Sequence, residues 1–170
     1  MPQTVFPENQ AQLDALSELA LLFSSHGIEF WLRGGWALDF LLGRETRPHR
    51  DVDVVVWREH RQSLRPLLED LDYVFRDRGF RAQMDFTRQD VKLSVILLER
   101  QPNGDLTPQH CPELVWLPDA LGAAKTLHGL LCRTVTPERL IHEKLHYEGT
   151  NPLRSKDVQS LLLLEKLVRG

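Results

Sequence analysis

The chain has 170 residues, 42% of them hydrophobic and 26% charged, the proportions of an ordinary globular protein with enough length for one core. That balance excludes a disordered tail, a collagen-like chain and a disulfide-stapled miniature scaffold. Lys and Arg total 21 against 24 Asp and Glu, and the formal net charge of −3 argues against a duplex nucleic acid as partner. Apolar runs such as Leu161-Leu162-Leu163-Leu164 fall far short of the ~20 residues that span a bilayer. The start, Met-Pro-Gln-Thr, has no basic stretch leading into an apolar core, so no signal peptide is expected. Cys111 and Cys132 lack a pairing motif and read as reduced thiols, packed as small apolar groups in a cytoplasmic protein.

Neither a repeat nor a low-complexity segment divides the chain, which is taken as a single domain over residues 1–170. Leu13, Leu16, Leu19, Leu22 and Phe23 recur at helical spacing and predict a helix over 8–25, stopped by Gly27. A short strand over 29–33 ends at Gly34-Gly35, and a helix over 36–42 ends at Gly43. A polar approach, residues 44–50, leads into Asp51-Val52-Asp53-Val54-Val55-Val56-Trp57, whose β-branched run suits a buried strand. Leu64, Leu67, Leu68 and Leu71 mark another helix. Residues 73–98 predict a meander of three antiparallel strands, with turns near 77–79 and 88–90, and Asn103-Gly104 is a further turn. Residues 106–122, with three prolines, read as loop, and 127–135 as one strand. Pro137 opens a helix to His146, and a last helix follows over about 156–168. The order implies an α+β or mixed α/β chain: a mixed β-sheet flanked by helices, closed by a short C-terminal helical segment over about 137–168.

Asp51 and Asp53 stand two apart on a strand, so both carboxylates share one face at a spacing of ~7 Å. Such a pair suits a divalent cation with hard oxygen ligands, Mg²⁺ above all. Taken alone, so short a motif reads more readily as exposed acids at a strand start. Gly34-Gly35 adds a second feature. Between a strand and a helix, bare backbone N–H groups and a helix N-terminus can cradle phosphates.

Residues 31–56, from Trp31-Leu32-Arg33-Gly34-Gly35-Trp36-Ala37-Leu38-Asp39 through Arg47-Pro48-His49-Arg50 to Asp51-Val52-Asp53, closely resemble the signature of the polymerase-beta-like nucleotidyltransferases. The best match is the branch of aminoglycoside and lincosamide adenylyltransferases. At lower strength the resemblance extends to Val91-Lys92-Leu93-Ser94-Val95, to Lys144 and to Arg154-Ser155-Lys156-Asp157. It implies a nucleotide site with Gly34 and Gly35 under the triphosphate, Asp51 and Asp53 on two Mg²⁺ ions, and Lys144 near the phosphates. The implied reaction moves a nucleoside monophosphate, AMP from ATP, to a hydroxyl of a small, antibiotic-like acceptor. As a plain helix lysine, Lys144 is equally well explained.

The chain departs from the family at the third carboxylate, which relatives place on a neighbouring strand. The register puts Ser94 there, or Lys92 after a one-step shift, and neither does that job. Asp85 falls on the preceding strand. Asp90 falls in the turn, ~13 Å of strand away from Ser94. Two expectations stay open: Asp85 reaches the site, or the protein is a nucleotide-binding homologue with weak or no catalysis.

His142-Glu143-Lys144-Leu145-His146 also fits His-Glu-x-x-His, the helix signature of zinc metallopeptidases, with Glu165 as a third ligand. This rival is set against histidines that are merely solvated or packed. Trp31, Trp36, Trp57 and Trp116 read as core, with Trp116 near a possible substrate mouth. Arg47 and His49 read either as phosphate or acceptor contacts or as plain loop residues. The Leu161 to Leu164 run is a buried helix face or a homodimer contact. A partner-binding role, as in one half of a toxin–antitoxin pair, remains compatible with the sequence.

Overall fold

The structure is a computed structural model, described here for residues 5–146 and 155–170. After a 3₁₀ turn, Pro7–Asn9, helix α1 (Gln10–Ser25) buries Ala15, Leu16, Leu19 and Phe23, the stripe its spacing predicts. Strand β1 (Phe30–Arg33) leads directly into α2 (Gly34–Leu42). The helix therefore begins on the glycine pair, two residues earlier than the sequence suggested. Gly43 ends it in the left-handed conformation, φ +72°.

Strand β2 (Val52–Trp57) lies between β1, to which it is antiparallel, and β5 (Val91–Arg100), to which it is parallel. A central strand covered on both faces needs an apolar run, and Val52, Val54, Val55 and Val56 are all fully buried. Each such valine contributes roughly 1.5–3 kcal/mol relative to an exposed one. Helix α3 (Arg61–Glu69) precedes the meander of β3 (Val74–Arg76), β4 (Gln83–Arg88) and β5, whose turns fall where the sequence placed them. With β7 (Leu121–Leu127) and β8 (Leu130–Val135), the sheet order is β3-β4-β5-β2-β1-β8-β7, a mixed sheet flanked by helices, as the sequence implied.

Two segments differ from expectation. The loop over 106–122 contains β6 (Leu106–Pro108), paired with the end of β5, and Leu106 bridges to Trp116. The single strand over 127–135 is a hairpin of β7 (Leu121–Leu127) and β8 (Leu130–Val135), turned on His128 and Gly129, both at positive φ. Helices α4 (Pro137–Leu145) and α5 (Ser155–Arg169) follow, with Thr136 Oγ1 capping α4 through the Arg139 amide. Residues 147–154, Arg154 among them, lie outside the described residues. Cys132 is buried as expected, whereas Cys111 is half-buried. Within the Leu161 to Leu164 run only Leu164 is fully buried, and Leu162 is exposed.

Candidate active site

Cross-strand register builds the site. Arg33 on β1 pairs with Asp53 on β2, Asp53 with Ser94 on β5, and Ser94 with Asp85 on β4. Directly paired residues present their side chains on the same face, so four polar side chains form one row across four strands. The row forms the floor of a cleft of about 520 Å³ that Gly34, Gly35, Asp51, Lys144 and Lys156 also line. The sequence-predicted residues are thus brought together. Asp51 stands just ahead of β2 and is exposed, while the Asp53 side chain remains 26% accessible, enough for a ligand to reach.

Burial pushes the Asp53 carboxyl above the ordinary carboxylate range. Arg33, 3.9 Å away, pulls it down, and the negative charges of Asp51, Glu143 and Asp85 push it up further. A half-sunk carboxylate among like charges is a site that gains from a divalent cation.

The glycine pair makes this approach possible. Gly34 sits at φ +66°, and a Cβ there would lie 2.7 Å from Asp53 Oδ2. A Cβ on Gly35 would meet His49 Nδ1 at 2.5 Å and Arg47 Nη2 at 2.7 Å. Bare backbone at the start of α2 therefore adjoins the acid on one side and two basic side chains on the other.

The approach segment is fixed by buried polar groups that sequence reasoning missed. Asp39 Oδ2 meets His49 Nε2 at 2.6 Å, both side chains being almost wholly buried, and the Trp36 ring packs on His49 at 4.5 Å. Asp39 Oδ1 accepts from Thr46 Oγ1 at 2.6 Å. From α1, Gln12 Nε2 donates to the His49 carbonyl, and its oxygen accepts from Trp36 Nε1. The Asn9 amide spans the same segment, donating to Glu45 Oε1 and accepting from the His49 N–H. Asp39 and His49 were visible within the quoted motif, but nothing in their spacing announced that they pair.

Lys144 lies at the cleft with its Nζ donating to Asp157 Oδ1 at 3.0 Å. Beside it, Glu143 engages Arg139 at 3.2 Å and Arg33 at 3.6 Å. That overturns the zinc-peptidase reading, which needs Glu143 beside a metal-bound water. His142 and His146 do share one helix face, their rings 4.3 Å apart. Yet among the described residues no group of three or more His, Cys, Asp or Glu is placed to hold a metal ion, so Glu165 completes no site. Burial, together with the nearby Arg139 and His146 charges, lowers the His142 pKa. Trp116 is buried under Arg139, whose guanidinium stacks 3.9 Å above its ring, so it is no open platform.

Asp90 occupies the β4–β5 turn and does not line the cleft. Asp85 does line it: its Oδ1 accepts from Ser94 Oγ at 2.7 Å and from Gln83 Nε2 at 2.9 Å, and Arg78 Nε lies 3.6 Å from its Oδ2.

The fold is the one seen in nucleotidyltransferases of known structure. It superposes on a lincosamide antibiotic adenylyltransferase, LnuA, in its lincomycin-bound form, with a TM-score of 0.73 at 22% identity over 98% of this chain and 99% of that one. It also superposes on ANT(2'')-Ia in complex with adenylyl-2''-tobramycin, with a TM-score of 0.77 at 20% identity over 94% of each chain. The family model of the aminoglycoside-2''-adenylyltransferases matches residues 15–156, and the chain belongs to that family. Among curated relatives, a lincosamide resistance protein of Staphylococcus haemolyticus is 32% identical over 41% of this chain and 43% of its own length. A 2''-aminoglycoside nucleotidyltransferase of Escherichia coli is 32% identical over 38% of this chain and 41% of its own. The matched stretch thus spans about two fifths of those relatives.

Proposed function

We propose that this chain, as one nucleotidyltransferase unit over its length, transfers a nucleoside monophosphate, AMP from ATP, to a hydroxyl of a small antibiotic-like acceptor. The observation that carries the reading is the juxtaposition of Asp51 and Asp53 with the bare Gly34-Gly35 backbone in one cleft. Seven arginines and lysines line that cleft against four aspartates, a surplus of positive charge on a chain of net charge −3. Such a pocket complements a triphosphate.

The residues fit Mg²⁺. Asp51 and Asp53 offer hard oxygens, and a Mg²⁺ site of this kind takes one or two carboxylates and completes its shell with water and substrate phosphate. Two such ions would supply charge neutralisation at the α-phosphate and the leaving pyrophosphate. The chain's own groups do the rest. The amides at the start of α2 hold the triphosphate's oxygens, with Arg47, Lys144 and Lys156 as counter-charges. Arg33 holds Asp53 in place and balances its charge. Among the described residues no helix is long and apolar enough to cross a membrane, and a cytoplasmic reaction on dissolved substrates fits ATP as donor.

Calorimetry with ATP and Mg²⁺ tests the reading: Asp51→Asn with Asp53→Asn should abolish metal-dependent binding, and unchanged binding would sink it. AMP transfer to a panel of lincosamide and aminoglycoside acceptors then identifies the substrate. A second reading, nucleotide binding without turnover, is favoured by one observation, the serine at position 94 beside Asp53.

A further inference from the structure

Transfer to a hydroxyl needs a group that takes the hydroxyl's proton, and in the reading above Asp51 and Asp53 serve the cation. The cleft presents two more carboxylates. Asp157 is tied to Lys144 at 3.0 Å, whereas Asp85, with Arg78 Nε a looser 3.6 Å away, is hydrogen-bonded through Ser94 to the strand beside Asp53. Register sets Asp85 one strand beyond Ser94, and a strand spacing of about 4.8 Å puts its Cα roughly 10 Å from that of Asp53. Asp85 accordingly forms no three-carboxylate group with Asp51 and Asp53 able to hold an ion. The side chain that stands between them is Ser94.

Ser94 is wired to act. Its Oγ–H donates to Asp85 Oδ1 at 2.7 Å. Gln83 Nε2 uses its two hydrogens on the same pair, at 2.9 Å to Asp85 Oδ1 and 2.8 Å to Ser94 Oγ. A hydroxyl oxygen has two lone pairs, so after Gln83 one remains to accept a proton.

We propose that the Ser94 hydroxyl, backed by Asp85, takes the place of an acid on β5 as proton acceptor for the transferred hydroxyl. The proposal rests on the nucleotidyl-transfer reading. As the acceptor oxygen bonds to the α-phosphorus, its proton passes to Ser94 Oγ and the Ser94 proton passes to Asp85 Oδ1. The bond from the α-phosphorus to the bridging oxygen breaks, and pyrophosphate leaves with that electron pair. Asp85 then returns its proton to solvent through Ser94. Ser94 touches the reacting hydroxyl, and Asp85 is the positioning and proton-storing group behind it. The sequence position that looked like a lost acid is then an acid moved one strand outward.

The test uses the full chain with ATP and Mg²⁺, reading pyrophosphate release with water as acceptor and with each member of the acceptor panel. Asp85→Asn and Ser94→Ala should each lower kcat about 100-fold, the scale of a general base, while KM for ATP stays within about twofold. Adding Ser94→Asp to Asp85→Asn should recover kcat to within about tenfold of the unsubstituted chain, because a carboxylate then stands on the adjacent strand. Mn²⁺ titration followed by electron paramagnetic resonance should show unchanged affinity in Asp85→Asn and tighter binding in Ser94→Asp. An unaltered kcat in Asp85→Asn or in Ser94→Ala overturns the proposal. So does loss of Mn²⁺ affinity in Asp85→Asn, which would make Asp85 a ligand, and so does an unsubstituted chain that turns over nothing. In the last case ATP–Mg²⁺ calorimetry separates the two failures: intact binding leaves the nucleotide site standing, and no binding removes it as well.

Discussion

Gly34→Ala perturbs the site through a single methyl group. The backbone at Gly34 is left-handed, φ +66°, and a Cβ in that conformation costs about 1–2 kcal/mol. Gly43, at φ +72° with nothing within 4 Å of its Cβ position, suffers the same backbone cost and no more. At Gly34 the new Cβ would also sit 2.7 Å from Asp53 Oδ2, whereas ordinary contact begins at 3.4 Å, so the carboxylate must retreat by about 0.7 Å. Displacements near 1 Å at a reacting centre cost up to ~100-fold in rate. Gly34→Ala should therefore lose at least as much stability in urea as Gly43→Ala. It should in addition weaken ATP–Mg²⁺ binding by about tenfold or more, whereas Gly43→Ala binds normally. The paired design separates strain from function. Equal ATP–Mg²⁺ affinity in the two variants would refute the claim that Asp53 works from its contact with the bare backbone of Gly34.

Asp39→Asn leaves His49 facing an amide inside the core, and breaking a buried pair of this kind should cost roughly 3 kcal/mol in denaturant titration. An effect below 0.5 kcal/mol would show that His49 finds another partner. The raised Asp53 carboxyl has a definite sign. The folded state holds that proton more tightly than the unfolded chain, whose value is 3.8, so in EDTA this group's contribution to stability falls as pH rises from 3.8 through the folded value. Asp53→Asn should accordingly raise the neutral-pH melting temperature of the metal-free protein and abolish any further rise on adding Mg²⁺; a lower melting temperature contradicts the burial penalty. Burial also pushes the Cys132 thiol up to about 12, so a thiol reagent at pH 8 should modify Cys111 in the native protein and both cysteines only after denaturation. Rapid native labelling of Cys132 would contradict its burial.

What the sequence disclosed follows from how local each signal was. The valine run of β2, the α1 stripe and the Gly34-Gly35 turn are short-range patterns, and each formed within a residue or two of its expected place. The β7–β8 hairpin escaped because its turn is His128-Gly129, where a non-glycine residue takes positive φ, and β6 because a strand of three residues has no period to detect. Asp85 was placed on the correct strand but its reach to the site stayed open, since separation along the chain conceals that antiparallel register sets it directly opposite Ser94. The buried pairings of Asn9, Gln12, Asp39 and Glu45 join residues up to 40 positions apart, and nothing in composition marks which polar residues will be enclosed.

Those enclosed groups explain how a loop so rich in charge can be stiff. Between α2 and β2 the chain carries Arg44, Glu45, Arg47, His49 and Arg50 before the acid pair, a composition that ordinarily stays solvated and mobile. Here Asn9 from the 3₁₀ turn and Gln12 from α1 pin its backbone, and Asp39 pins His49 from α2, so Asp51 and Asp53 enter the cleft from a fixed direction. The opposite wall is tied to the same acid: Arg33 touches both Asp53 and Glu143, and Glu143 sits one residue before Lys144. The run of contacts from Asp53 through Arg33 to Glu143 thus links the acid of β2 to α4, the helix that carries Lys144. Burial and the neighbouring acids oppose the charged form of Asp53, so a cation bound there would relieve the same carboxylate from which those contacts run.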